Sequence, residues 1–224
     1  MKVGRTTREG LGAGFSGHLG LRGPRRQRSA WFPISEETEL QVRRRLRSSI
    51  GGISIIETLN NRLLIVDLLQ MPMISLLDDG DYWPKGDHPC DGPFNDYAGL
   101  PIETYRLMSL WAEGDPEFEV SNTLSARAEV ASIIDTAGFT DRQEELVKYL
   151  RHTTIHFRNG TSISYEANRT NLIALLELED DDKINFVEIS CVEGAERYYP
   201  LEQISLIEVS LLEFEAARRD AAGE

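Results

Sequence analysis

Histidine, cysteine and aspartate lie closest together in the segment between Asp78 and Gly99, which contains the run Asp87-His88-Pro89-Cys90-Asp91. These residue types bind metals or supply nucleophiles. The spacing lacks the alternating oxygen ligands and closing Glu of a calcium loop. A zinc site would need a distant partner such as His152, His156 or Cys191. We therefore predict a long partner-binding loop, with a metal or catalytic site as the less favoured hypothesis. Its candidate contact residues are Trp83, His88, Cys90 and Asp91.

A second group with a definite chemistry is the set of arginines near the N-terminus. Residues 1–50 carry eleven Lys or Arg against four Glu, a net charge of +7. Because the whole chain has a net charge of −13, the remaining residues carry a net charge of −20. A flexible arginine-rich segment can bind nucleic acid by neutralising phosphates. The competing interpretations are an unstructured leader without function and an organelle transit peptide. The candidate nucleic-acid-binding residues are Arg22, Arg25, Arg26, Arg28, Arg43, Arg44, Arg45 and Arg47.

Composition excludes several protein classes. Two cysteines are too few for a disulfide framework or a four-cysteine metal site. No apolar run approaches the roughly 18 residues of a membrane helix. The sequence predicts no cofactor, no small-molecule ligand and no membrane partner. The expected location is cytoplasmic, with organelle import as the alternative if the N-terminus is a transit peptide.

The N-terminal elements follow from composition and capping signals. Residues 1–30, rich in Gly, Ser and Arg, are expected to be disordered, and order is expected to begin at Trp31-Phe32-Pro33. Thr38 and Gln41 have capping-box spacing, and acidic residues precede basic ones as a helix dipole favours. We predict a helix that ends at Gly51-Gly52, within a helix and linker segment over residues 31–52.

The middle of the chain combines an apolar segment with helices. Residues 53–77 fit helical spacing, but their isoleucines and the central Asn60-Asn61 pair favour two strands. Three helices are predicted over residues 101–150. The first begins at Pro101, the second is capped by Asn122 or Thr123, and the third is capped by Thr140. The second and third have the length of a helix-turn-helix. Because the exposed face of the third repels phosphate, an ordinary helical hairpin is favoured.

Residues 153–210 show the most regular hydrophobic pattern. Asn159-Gly160 between alternating segments predicts a hairpin. A three-residue loop, Arg158 to Gly160, pairs Ile155 with Ile163 and keeps one face apolar, so we predict this register with Gly160 at positive φ. A helix capped by Asn168 or Thr170 should follow, and then strands over residues 184–191 and 198–209 and a helical tail.

These elements predict an α+β fold: a C-terminal hairpin–helix–hairpin unit over residues 151–224, as an antiparallel sheet or small barrel, with the helical part of residues 53–150 beside it. No stretch matches a catalytic constellation. The first hypothesis for function is therefore a non-catalytic subunit or adaptor whose acidic body binds a protein partner. The alternatives are a nucleic-acid-associated protein that binds through residues 1–47 and, last, an enzyme or metal site in the Asp78–Asp91 loop.

Overall fold

The computed structural model describes residues 14–26, 29–48, 52–78, 94, 99–175, 178, 185–190 and 196–223. They form a mixed α+β structure with antiparallel sheets, and three hydrophobic clusters account for most of the buried apolar side chains.

A three-stranded sheet is built from β1 (Phe15–Arg22), β2 (Ala30–Ser35) and β5 (Met73–Asp78), in the order β2-β1-β5. Leu19 of β1 is fully buried. The prediction that residues 1–30 are disordered is therefore wrong for β1, and order begins before Trp31. Residues 1–13 lie outside the described part of the chain. The glycines of β1 dilute its apolar pattern and hide the strand in the sequence, although Gly20 is required: a Cβ there would lie 2.6 Å from the Trp31 ring.

A five-stranded antiparallel sheet forms the centre of the fold. Its strands are β3 (Ser54–Glu57), β4 (Arg62–Val66), β10 (Ile204–Ser210), β6 (His152–Phe157) and β7 (Ser162–Glu166), in the order β3-β4-β10-β6-β7. The predicted strands within residues 53–77 are confirmed, and Asn61 takes a positive φ of 63° in the turn between β3 and β4.

The β6–β7 hairpin has the predicted register. Ile155 pairs with Ile163, and the Phe157 amide donates to the Thr161 carbonyl at 2.9 Å. Gly160 has φ +90°. The three-residue loop is confirmed because only this register places the apolar residues of both strands on one face.

Helices pack on both faces of the five-stranded sheet, and four of them form a bundle. Helix α1 (Glu36–Ser48) is confirmed, but Ser35, not Thr38, caps it: the Ser35 hydroxyl accepts the Thr38 amide at 3.1 Å. The bundle contains α2 (Ile102–Glu113), α3 (Pro116–Val120), α4 (Leu124–Thr136) and α5 (Gln143–Arg151). Helix α3 was not predicted. Thr123 caps α4 as expected, whereas Thr140 donates to Asp135 and does not cap α5. Helices α4 and α5 both pack against α2 rather than mainly against each other, so the predicted helical hairpin of these two helices is not shown.

The C-terminal region differs from the predicted hairpin–helix–hairpin sheet. Asn168 caps α6 (Arg169–Ala174), and the tail is helical as α7 (Leu211–Ala222). The predicted strand over residues 198–209 is two strands. Its first part is β9 (Glu196–Pro200), which pairs with β8 (Phe186–Ser190) in a separate two-stranded ribbon, and the turn Leu201–Gln203 separates it from β10. Strand β10 then enters the five-stranded sheet between β4 and β6, where both of its faces are buried.

Candidate binding surface

The structure disperses the arginines that were predicted to bind nucleic acid. Arg22 donates to the Met73 sulfur, and Arg43 pairs with Glu39 at 2.6 Å. Arg45 donates to the Ile53 carbonyl. The exposed members of the set are Arg25, Arg43, Arg44 and Arg47. Arg28 lies outside the described residues, as do all four predicted contact residues of the loop, Trp83, His88, Cys90 and Asp91.

Arg26 belongs to a buried network that joins three elements. Its guanidinium contacts His156 Nδ1, and His156 Nε2 lies 2.5 Å from the Glu208 carboxylate. The His156 and Glu208 side chains are only 10% and 18% exposed. These residues come from the β1–β2 loop, β6 and β10, and Arg26 lies 130 positions from His156 in the sequence. Both imidazole nitrogens are therefore occupied by internal partners, which gives His156 a structural role in the folded chain.

A second buried cation completes this network. Arg62 is 6% exposed, and its guanidinium lies 4.0 Å from the centroid of the Tyr149 ring. Its Nε and Nη1 have no hydrogen-bond partner among the described residues. Burial alone would raise the pKa of Glu208, but the His156 hydrogen bond and the charges of His156, Arg62 and Arg26 outweigh it and lower the pKa. Glu208 is thus an anion close to the positive charges of Arg62 and Arg26.

Among the described residues, the most exposed aromatic side chains lie on the β8–β9 ribbon. Cross-strand pairs place Glu188 opposite Tyr198 and Phe186 opposite Pro200, on one face of the ribbon. Phe186 is 57% exposed and Tyr198 is 58% exposed, although large aromatic side chains are usually buried. Glu188 and Glu196 are exposed on the same face, because residues two apart in a strand share a face. We call these four residues the ribbon face.

The opposite face of the ribbon is anchored in the core. Val187 is 2% exposed and joins the cluster formed by β10, α6 and α7. The Tyr199 ring lies 5.5 Å from the Phe157 ring, centroid to centroid. The ribbon is therefore fixed to the five-stranded sheet, and its exposed aromatic side chains are presented on a supported surface.

One edge of the ribbon borders a cavity of ≈ 690 Å³, which we call the cleft. This volume falls within the range of ligand pockets, about 300–1,000 Å³. Apolar side chains make up much of its wall, and Asp67, Glu202 and Arg158 supply its charges. Arg158 donates to the Gln70 side chain at 3.4 Å, and the Asp67 carboxylate accepts the Leu69 amide. The apolar lining includes Ile53, Ile65, Leu178, Phe186, Leu201 and Ile207.

The cleft and the ribbon face together suit recognition of a cation beside an apolar group. Carboxylates outnumber guanidinium groups here, and Tyr and Phe rings attract cations to their faces. The Glu188 carboxylate is close enough to Tyr198 to raise the pKa of its phenol, first through its charge.

Sequence reasoning missed the ribbon face. The alternation of Val187 and Ile189 with Glu188 and Ser190 is visible in the sequence, but the prediction there is a strand covered on both faces. The signal that could have found it is the glutamates next to aromatic residues, which indicate a half-exposed strand.

Within the described ranges, no group of three or more His, Cys, Asp or Glu side chains is arranged to hold a metal ion. No helix in that part of the chain is long and apolar enough to cross a membrane. Comparison with known proteins found no matching family model, no matching curated protein and no matching solved structure.

Proposed function

We propose that this chain is a non-catalytic interaction protein that binds a positively charged segment of a partner protein at the ribbon face and the cleft. The observation that supports the proposal is the exposure of Phe186 and Tyr198 on a ribbon whose other face is anchored in the core. Exposed aromatic residues on a rigid support are the usual anchors of protein interfaces.

The partner's charge follows from electrostatics. Glu188 and Glu196 flank the aromatic rings, and Asp67 and Glu202 border the cleft, against Arg158 and Arg197. The chain beyond residue 50 carries a net charge of −20. A field of this sign attracts basic partners and repels acidic ones, which raises the association rate and the specificity.

The geometry also suggests the shape of the recognised segment. A lysine or arginine side chain can lie against Tyr198 and pair with Glu188, while a neighbouring aliphatic or aromatic side chain enters the cleft beside Phe186. The preferred segment is therefore a short peptide in which a basic residue stands near an apolar one.

Because the proposal defines the partner by its chemistry, a random-peptide display library tests it directly. Panning against the full chain should enrich peptides that combine Lys or Arg with an apolar residue. Fluorescence anisotropy of a synthesised peptide should then show at least about a tenfold loss of affinity for the variant Phe186→Ala/Tyr198→Ala. The variant Glu188→Lys/Glu196→Lys should lose a similar factor and most of the salt dependence.

A matched control separates local recognition from overall charge. The variant Glu129→Lys/Glu144→Lys makes the same change in net charge at two exposed positions on α4 and α5. Its affinity should stay within about threefold of the unmodified chain, because charges beyond a Debye length are screened. Enriched peptides without basic residues, or equal loss of binding in the control and ribbon variants, would refute the proposal.

Nucleic-acid binding is the second candidate, and the exposure of Arg25, Arg44 and Arg47 favours it. It ranks below protein binding because Arg22, Arg26 and Arg45 make contacts inside the chain. The hypothesis of an enzyme or metal site concerns Asp78–Asp91, of which the structure describes Asp78 alone, and it stays a prediction.

A further inference from the structure

A small cavity of ≈ 270 Å³ lies where the β1–β2 loop meets the β6–β7 hairpin loop, and we call it the arginine pocket. Its wall carries two guanidinium groups, Arg25 from the first loop and Arg158 from the second, against one carboxylate, Glu202. Neither arginine forms an ion pair with a described residue. The pocket therefore contains two cations that no described side chain neutralises by direct pairing. Its other lining residues are Phe157, Asn159 and Gln203.

The β1–β2 loop holds Arg25 in a backbone conformation that arginine rarely adopts. The Arg26 amide donates to the Gly23 carbonyl at 3.2 Å, which closes a four-residue turn, and Arg25 is the third residue with φ +64°. Turns with proline second, as Pro24 is here, and a positive φ third usually have Gly or Asn at the third position. An arginine there is strained, and strain of this kind is concentrated at functional sites.

The turn that carries Arg25 is fixed to the sheet. Arg26, the next residue, contacts His156 Nδ1 on β6. A Cβ placed on Gly160 would lie 3.7 Å from the Arg25 Cβ, so the turn lies against the hairpin loop. Arg25 itself is exposed. A ligand in the pocket can therefore reach this arginine without the cost of ordering the loop.

The second arginine has donors to spare. The Arg158 amide donates to the Gln203 carbonyl at 2.8 Å, which holds the hairpin loop against the turn before β10. In its side chain, Nη1 donates to Gln70 through a long hydrogen bond of 3.4 Å. The Arg158 Nε is shielded from solvent and has no hydrogen-bond partner among the described residues. A shielded donor of this kind costs free energy unless a ligand or a water molecule accepts from it.

Asn159 adds a further donor to the same wall. Its Oδ1 already accepts the Thr161 amide at 2.9 Å and the Thr161 hydroxyl at 2.6 Å. The amide nitrogen is therefore the part of the Asn159 side chain that is left for a ligand, and it can only donate. Donors thus predominate among the polar groups of the pocket, as recognition of an anion requires.

We propose that the arginine pocket binds the terminal phosphate of a phosphate monoester. A monoester carries a charge of about −1.5 to −2 near neutral pH and has three free oxygens. Two guanidinium groups can meet these oxygens with paired, charge-assisted hydrogen bonds. A volume below the roughly 300 Å³ of the smallest ligand pockets suits a single group of this kind, with the rest of the molecule outside.

The same lining disfavours a phosphodiester, such as the backbone of a nucleic acid. A diester has one negative charge and only two free oxygens. Because the lining has a net charge of +1, a dianion gains about twice the electrostatic attraction of a monoanion. The aromatic side chains of the ribbon face take no part, so this inference does not rest on the proposed function.

Isothermal titration calorimetry of the full chain at fixed ionic strength tests the proposal. Inorganic phosphate and phenyl phosphate should each bind at one site with a Kd on the order of 1 mM, and the diester dimethyl phosphate should bind at least about tenfold more weakly. Arg25→Gln and Arg158→Gln should each weaken phosphate binding at least about tenfold, because each removes charge-assisted hydrogen bonds. Glu202→Gln should strengthen it about threefold, because it removes the one repulsive charge.

Phosphate monoesters occur on small metabolites and on phosphorylated side chains of proteins. Titration with phenyl phosphate and with a short phosphoserine peptide compares these two sources. Whichever probe binds more tightly identifies the source, and either order supports phosphate recognition.

Controls separate the pocket from general effects of charge and folding. Arg47→Gln removes the same charge from an exposed position on α1 and should leave phosphate binding unchanged. Arg25→Gly removes the guanidinium together with the backbone strain, so it should abolish binding without lowering the thermal midpoint. Phe186→Ala/Tyr198→Ala should bind phosphate as the unmodified chain does, which distinguishes failure of this proposal from failure of the proposed function.

Three results would each overturn the proposal. The first is the absence of saturable binding of both inorganic phosphate and phenyl phosphate up to about 50 mM. The second is binding of dimethyl phosphate as tight as that of phenyl phosphate, which would show attraction to any anion. The third is an equal loss of phosphate binding in Arg47→Gln and Arg25→Gln, which would place the binding outside the pocket.

Discussion

The buried network around Glu208 yields a prediction whose size follows from the structure. Glu208→Gln keeps the shape of the side chain and an oxygen that accepts a hydrogen bond from His156, but it removes the negative charge. Arg62, 6% exposed and 4.0 Å from the Tyr149 ring, then loses the attraction of a nearby negative charge, and Arg26 loses a favourable interaction. The substitution therefore isolates the contribution of one charge.

Removal of one partner from a fully buried ion pair typically costs about 3–5 kcal/mol, because the other charge remains desolvated. The Glu208 side chain retains 18% exposure, so water partly screens the loss. We expect the free energy of unfolding at pH 7 to fall by about 2–3 kcal/mol, which is a large share of the stability of an average domain.

Urea denaturation followed by tryptophan fluorescence measures this change, and its pH dependence tests the cause. The folded-state pKa of Glu208 is lowered from its ordinary value of 4.5. Its charge therefore contributes full stability well above that value, and the contribution is lost as the pH falls through the folded-state pKa. The difference between the unmodified chain and Glu208→Gln should be constant near neutrality and shrink below pH about 4.

Glu145→Gln provides the matched control, because Glu145 also pairs with an arginine but both side chains are 54% exposed. Exposed pairs contribute little, so this variant should leave the free energy of unfolding nearly unchanged. If Glu208→Gln is equally mild at pH 7, or if its effect grows as the pH falls, the network does not depend on the Glu208 charge and the reasoning is wrong.

Three further predictions concern single features. Burial lowers the pKa of His152 from its ordinary value of 6.5. The folded chain therefore has the full stability contribution of neutral His152 above pH 6.5 and loses part of it as the pH falls below 6.5. An NMR titration midpoint at or above 6.5 would contradict this. Gly160→Ala forces a side chain onto φ +90° and should lower the free energy of unfolding by about 1 kcal/mol in thermal denaturation, whereas an unchanged midpoint would refute the strain argument. If the arginines bind nucleic acid, the folded triple variant Arg25→Gln/Arg44→Gln/Arg47→Gln should lose salt-sensitive RNA and DNA binding; retained binding would exclude these residues. Substitution is preferable to removal of residues 1–47, because truncation deletes β1, β2 and α1.

Local chemistry in the sequence determined many individual elements. The Asn159-Gly160 pair and the alternation around it specified the β6–β7 register, since a shift by one residue would expose Ile155. Asn60-Asn61 marked the turn between β3 and β4, and capping residues such as Thr123 and Asn168 located helix starts. These signals act over a few residues, so they can be recognised from the sequence alone.

The tertiary structure alone decided which strands are neighbours and which side chains meet. The glycine-containing β1 became a buried strand only because β2 and β5 pair with it, β5 from about fifty residues further along the chain. Strand β10 belongs to a different sheet from β9 because it pairs with β4 on one side and β6 on the other in the five-stranded sheet.

The candidate sites depend on the same long-range choices. Glu208 lies 52 positions from His156 in the sequence, and Arg26 lies 130 positions from His156. No spacing in the sequence therefore predicts that these three residues form a network. Phe186 and Tyr198 are exposed because Val187 and Tyr199, on the opposite face of the ribbon, contact the core. Apolar residues in a strand indicate that one of its faces can be buried. Which face is buried depends on contacts between distant segments, and the free energy of those contacts arises only when the whole chain has folded.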